Sequence, residues 1–221
     1  MLCCVWIIQL RGVNIAIILL RCANIVIIQL RGAHTAIIQL RGAHIAIIQL
    51  RGAHTAFIQL RGAHIAFIQL RGAHTAFIHL RGAHIANIQL RGAHIAIIQL
   101  RGAHIAFIQL RDAHIAFIQV RGAHIAFIQL RDAQKAFIQL RGAHIALTSN
   151  IINNVDEYLG VTINYVTDEY LGVTIKYATY EYLGVTIKYV TYEYLGVTIK
   201  YVTYEYLGVT IKYFTARKEA L

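Results

Sequence analysis

The chain has 221 residues, 57% hydrophobic and 14% charged, with no proline and a formal net charge of +11. It is too apolar for a disordered chain, which needs low hydrophobicity and high net charge. An arginine every ten residues from Arg11 to Arg141 also leaves no uncharged apolar run near the ~18–20 residues of a spanning helix. The length allows one or two domains, and nothing in the composition assigns a biochemical activity.

Residues 1–10 read as an N-terminal cap. They lack a basic segment and a small-residue cleavage site, so no signal peptide is expected. Nothing else addresses the chain to a compartment, and the reading leans towards the cytoplasm. Cys3, Cys4 and Cys22 form no disulfide framework and lack the paired spacing of a zinc site. They read as buried or end-capping thiols, with lipidation of Cys3 and Cys4 as the alternative.

Two tandem repeats fill most of the rest. Residues 7–147 repeat a ten-residue unit, AHIAFIQLRG, and residues 158–215 a twelve-residue unit, YLGVTIKYVTYE. The near-identity of the copies also admits translated tandem-repeat DNA with no evolved function. Charge divides at the same place. Residues 1–150 carry 14 Arg and 1 Lys against 2 Asp, a net +13, whereas residues 151–221 carry 5 Lys and 1 Arg against 8 acids, a net −2. The chain therefore divides into the cap, a decapeptide block over 11–150 and a dodecapeptide block over 151–221.

The ten-residue unit does not suit a helix. Ten residues at about 100° each leave successive repeats roughly 80° apart, so no apolar stripe persists. Glycine and β-branched isoleucine disfavour helix as well. A hairpin meander would turn at Arg-Gly-Ala-His. It would place His, Ala, Ile and Leu on one face and Ile, Phe, Gln and Arg on the other, so that neither face is clean. Halving the unit into five-residue steps, Ala33–Ile37 and Ile38–Gly42, separates polar from apolar better. With the first and third residues of each step inward, the interior of a typical unit receives Ala, Ile, Ile and Leu, while Arg, Gln and His face water.

At these residues the chain resembles the pentapeptide-repeat family, whose pattern is A-[DN]-L-x-x. Val13-Asn14-Ile15 and Ala23-Asn24-Ile25 come closest, and Leu40-Arg41-Gly42 matches the L-x-G half-step. The resemblance covers about residues 11–150 and implies a right-handed, four-sided β-helix with twenty residues per coil. The expected fold is therefore all-β: this solenoid, about seven coils or ~34 Å long at ~4.8 Å per coil, then a Tyr-rich β block. Two departures from the family stand out. Ile38, Ile48 and Ile58 sit where a small residue is favoured, which predicts overpacking. Phe57, Phe67, Phe77 and Phe107 would form an outer apolar stripe. Some family members inhibit DNA topoisomerases through an acidic, DNA-like surface; this block is basic, so that role does not carry over.

The dodecapeptide block alternates apolar and polar residues at Val185–Tyr189, as a strand does, and places a turn near Tyr194-Leu195-Gly196. It predicts either a hairpin meander or a solenoid with shorter coils, then a short helical or frayed tail from Ala216. Glu181, Glu193 and Glu205 read as solvated charge among Lys188, Lys200 and Lys212.

Twenty-residue coils stack like residues in columns. Arg31, Arg51, Arg71, Arg91, Arg111 and Arg131 form a candidate polyanion-binding column, and Arg21 through Arg141 a second. Thr35, Thr55 and Thr75 would stack, as would Asp112 and Asp132. His34 through His114 and His44 through His144 give two further columns, read as repeated exterior residues and not as a metal site. Their protonation predicts weaker stability in acid. No set of residues is assigned a catalytic, cofactor or metal role. The expected function is a non-catalytic scaffold or protein-interaction module, with polyanion binding as the alternative and self-association through the solenoid ends as a possible partner mode.

Overall fold

The computed structural model describes residues 5–142, 145–151 and 155–216, with side chains from 5 to 142. The proposed lipidation sites Cys3 and Cys4, together with His144 and the tail beyond Ala216, lie outside the described residues, and the Glu and Lys side chains of the dodecapeptide block lie outside the described side chains.

Every element is a strand. They are β1 (Val5–Arg11), β2 (Ile15–Arg21), β3 (Ile25–Arg31), β4 (Thr35–Arg41), β5 (Ile45–Arg51), β6 (Thr55–Arg61), β7 (Ile65–Arg71) and β8 (Thr75–Arg81). Then come β9 (Ile85–Arg91), β10 (Ile95–Arg101), β11 (Ile105–Arg111), β12 (Ile115–Arg121), β13 (Ile125–Arg131), β14 (Lys135–Arg141), β15 (Ile145–Ile151) and β16 (Val155–Ala216). Each strand through β13 pairs in parallel with the strand two places on, residue i against residue i+20. Odd strands build one sheet and even strands another. With two strands per turn, β1 to β14 make seven turns of a parallel β-solenoid.

The all-β solenoid and its twenty-residue coil are as the sequence predicts, but the coil is built differently. It has two seven-residue strands joined by three-residue corners, not four five-residue sides. Strict alternation runs through each strand, so in β4 Ala36, Ile38 and Leu40 are buried while Thr35 and Ile37 are half-buried on the outer face. Ala33 enters from the corner. The third residue of the first step (Thr35, Ile45) therefore lies outward, and the following alanine takes its place inside.

This exchange removes the expected overpacking. Each half-coil contributes two alanines, one isoleucine and one leucine to the core, so Ile38 and Leu40 are accommodated by small neighbours. The two sheets close over this apolar interior, which runs unbroken from Ala16 to Leu140.

Corners turn on a left-handed residue. Gly42 has φ +65° and donates its N–H to the carbonyl of Arg61 at 2.8 Å, so the ladder continues around the bend. Cys22, Asp112 and Asp132 adopt the same conformation at φ 54–56° without being glycine.

In β16, residues 158–164 pair in parallel with β14, and residues 170–175 pair in parallel with β15. Tyr158 and Tyr170 are twelve residues apart and lie on different sheets, so one dodecapeptide spans a half-coil. Over 158–175 the chain thus continues the solenoid with longer coils, not shorter ones, and the parallel pairing replaces the hairpin alternative.

Candidate functional site: columns along two edges

Register turns each outward position into a column. The glutamines form an amide ladder, each NH2 donating to the next carbonyl: Gln9 to Gln29 at 3.1 Å, Gln29 to Gln49 at 3.1 Å and Gln109 to Gln129 at 3.0 Å. Sequence reasoning placed these glutamines outward without finding the ladder; their twenty-residue spacing was its signal. Thr35, Thr55 and Thr75 stack as predicted. Phe57 stacks on Phe77 with ring centroids 4.7 Å apart, and Phe107 on Phe127 at 4.9 Å. The phenylalanine stripe is therefore real and is split between the sheets. On the odd sheet Asn87 interrupts it between Phe67 and Phe107, beside an open groove of about 270 Å³.

The solenoid has two edges, one at each set of corners. Edge one follows the odd strands and carries Arg11, Arg31, Arg51, Arg71, Arg91, Arg111 and Arg131 in register. This is the column singled out from the sequence. Edge two follows the even strands and carries Arg21, Arg41, Arg61, Arg81, Arg101, Arg121 and Arg141. The guanidinium side chains are exposed, apart from the half-buried Arg121, whose Nε lies buried with no partner.

Each arginine is followed three residues later by a corner position that is usually histidine. On edge one, successive rings from His34 to His114 stack with centroids 4.6–4.8 Å apart and planes within 9° of parallel. On edge two, His44 to His124 stack at 4.8 Å and within 5°. Rings stacked in parallel present their nitrogens side by side and do not converge on one point. Among the described residues no group of three or more His, Cys, Asp or Glu is placed to hold a metal ion.

The edges differ in charge and in the side chains at two corners. Between residues 5 and 142 the acids are Asp112 and Asp132, and both occupy left-handed corners of edge one. The matching corners of edge two, Gly102, Gly122 and Gly142, have no side chain. Along edge two runs an open groove of about 800 Å³, floored by glycine and alanine from Gly42 to Gly142 and lined by the histidines from His44 to His124. His79, which stands in the even-sheet glutamine column, registers the local field. Burial, and then the charges of Arg101, Arg81 and Arg61, lower its imidazole pKa below the usual 6.5.

Comparison with protein-family models, with curated proteins and with solved structures finds no match for the chain. What stands is a regular repeat solenoid. Among the described residues no helix is long and apolar enough to cross a membrane.

Proposed function

We propose that the protein is a non-catalytic repeat scaffold that engages extended partners along its columns. The carrying observation is the in-register stacking of outward positions from one coil to the next, most of them repeating the same residue. A catalytic centre needs a few unlike groups converging on one reacting atom. This surface offers the same groups again at each coil, which suits a partner that is itself long and repetitive. A regular repeat solenoid agrees with a scaffold role.

A second, more specific reading has the arginine columns bind a polyanion. It is favoured by fourteen register-aligned arginines against two aspartates between residues 5 and 142. Neutralising several anionic groups releases counterions, so affinity should fall steeply with salt. Heparin serves as the probe. The full chain should bind it at ~50 mM salt with a linear loss of log affinity against log salt; absence of binding at that salt would remove the polyanion reading and leave the scaffold reading in place. The scaffold reading is tested by finding peptides of the chain in its source cells, because translated repeat DNA without a role should leave no stable product.

A further inference from the structure

We infer that edge two, and not edge one, is the polyanion track, and that its ligand is a linear chain of tetrahedral oxyanions without aromatic rings, for which inorganic polyphosphate is the simplest representative. This rests on the polyanion reading and makes it specific.

Three observations converge on edge two. Arg41 through Arg141 supply one cation per coil, and among the described side chains the corners of edge two, Gly42 to Gly142, carry no carboxylate. On edge one, Asp112 and Asp132 sit directly after Arg111 and Arg131 and offset their charge where that column would otherwise continue. The third observation is the groove: the bare glycine corners from Gly42 to Gly142 leave a continuous channel beside the histidine column, whereas the equally bare corners of edge one, Gly32 to Gly92, give way to Asp112 and Asp132.

The repeat and the covered ring faces narrow the ligand. Coils repeat every 4.8 Å, as the stacked rings of His44 and His64 show. Arginines recurring at each coil give a continuous row of donors for closely spaced tetrahedral oxyanions, to which arginine donates in pairs. Nucleobases are disfavoured. Proteins that hold single strands stack bases on free ring faces, whereas the imidazoles of edge two already cover one another's faces at 4.8 Å. A thin, ring-free chain needs only the channel and the row of cations.

The test uses corner substitutions that this backbone already tolerates, since Asp112 and Asp132 show aspartate in the left-handed corner. Binding of long-chain polyphosphate to the full chain is measured at ~50 mM salt. The edge-two pair Gly102→Asp/Gly122→Asp should weaken it by at least about tenfold. The edge-one pair Gly52→Asp/Gly72→Asp should change it less than about twofold. Gly102→Asn/Gly122→Asn keeps the corner conformation without charge and should bind within about twofold of the parent; circular dichroism confirms that each variant folds. Equal losses from both aspartate pairs, or an asparagine pair as weak as the aspartate pair, would overturn the assignment of edge two. Single-stranded polyuridylate bound as tightly as polyphosphate would overturn the ring-free ligand. If the parent chain binds neither polyphosphate nor heparin, the polyanion reading itself falls.

Discussion

The inner and outer sides of a single strand obey different rules. In β7, Ala66, Ile68 and Leu70 are buried to within 1% exposure, while their immediate neighbours Ile65 and Gln69 are half-buried and Phe67 is 43% exposed. From residue 33 to residue 140 the inward positions repeat Ala, Ala, Ile and Leu, and Val120 is their one departure. Outward and corner positions vary more, as Thr35, His79, Asn87, Asp112, Gln134 and Lys135 show. Duplication copies both sides alike. An interior at close-packed density tolerates little change of volume, whereas the outer columns accept any residue that stacks or meets water. This contrast favours a folded product over the drift expected of translated repeat DNA.

Substitutions should reproduce that contrast. Leu70→Ala should lower unfolding free energy in urea by about 2–5 kcal/mol. Gln69→Ala, next door and outward, removes the 3.4 Å bond to Gln89 and should lower it by only about 0.5–1.5 kcal/mol. Similar losses at the two sites would break the inner–outer distinction. Enlarging the interior should also hurt: Ala76→Ile should cost about 1–3 kcal/mol, whereas Thr75→Ile, which copies the outward isoleucine of Ile95, should stay within about 0.5 kcal/mol.

The corners sharpen the picture at a smaller scale. At Gly82 a Cβ would meet nothing closer than 3.9 Å. Gly82→Ala should therefore cost only the left-handed backbone penalty of about 1–2 kcal/mol. Cys22→Gly, at φ 56°, should act in the opposite direction and by less than that, because glycine also gains freedom in the unfolded chain. Thermal melts would register both.

Among the described side chains, His79 in the even-sheet outer column has a pKa shifted by its surroundings. The folded pKa of His79 lies below its unfolded value of 6.5, so its share of stability is present above 6.5 and is lost as the pH falls from there through the folded pKa. The melting temperature should be lower at pH 5 than at pH 8, and His79→Gln should slightly reduce the difference. Unchanged melting across that range would contradict the lowered pKa of His79.

Much of this was legible in the repeats. The ten-residue period excluded helix, and doubling it gave the coil and the Arg, His and Thr columns. The face taken by residues 35 and 36 was misassigned. In the discarded hairpin reading, Ala46, Ile48 and Leu50 share a face, as they do in the structure; only its connection is wrong. That face looked unclean because His44 falls on it by alternation, yet His44 sits at the corner and escapes to water. Alternation cannot tell where a strand stops, and the five-residue step placed a bend where β5 runs straight. The charge difference between the edges was also readable, since Asp112 and Asp132 share parity with Arg111 and Arg131. The groove was not, because it arises from corners that lack side chains.

Thiol accessibility along one strand tests the two-sheet coil most directly. With Cys3, Cys4 and Cys22 replaced by serine, single cysteines are placed at Ile65 and Ala66 and their labelling rates compared in the folded chain. Two seven-residue strands per coil predict rapid labelling at 65 and protection at 66. Protection at 65 with rapid labelling at 66 would mean a coil that bends every fifth residue and would contradict the account.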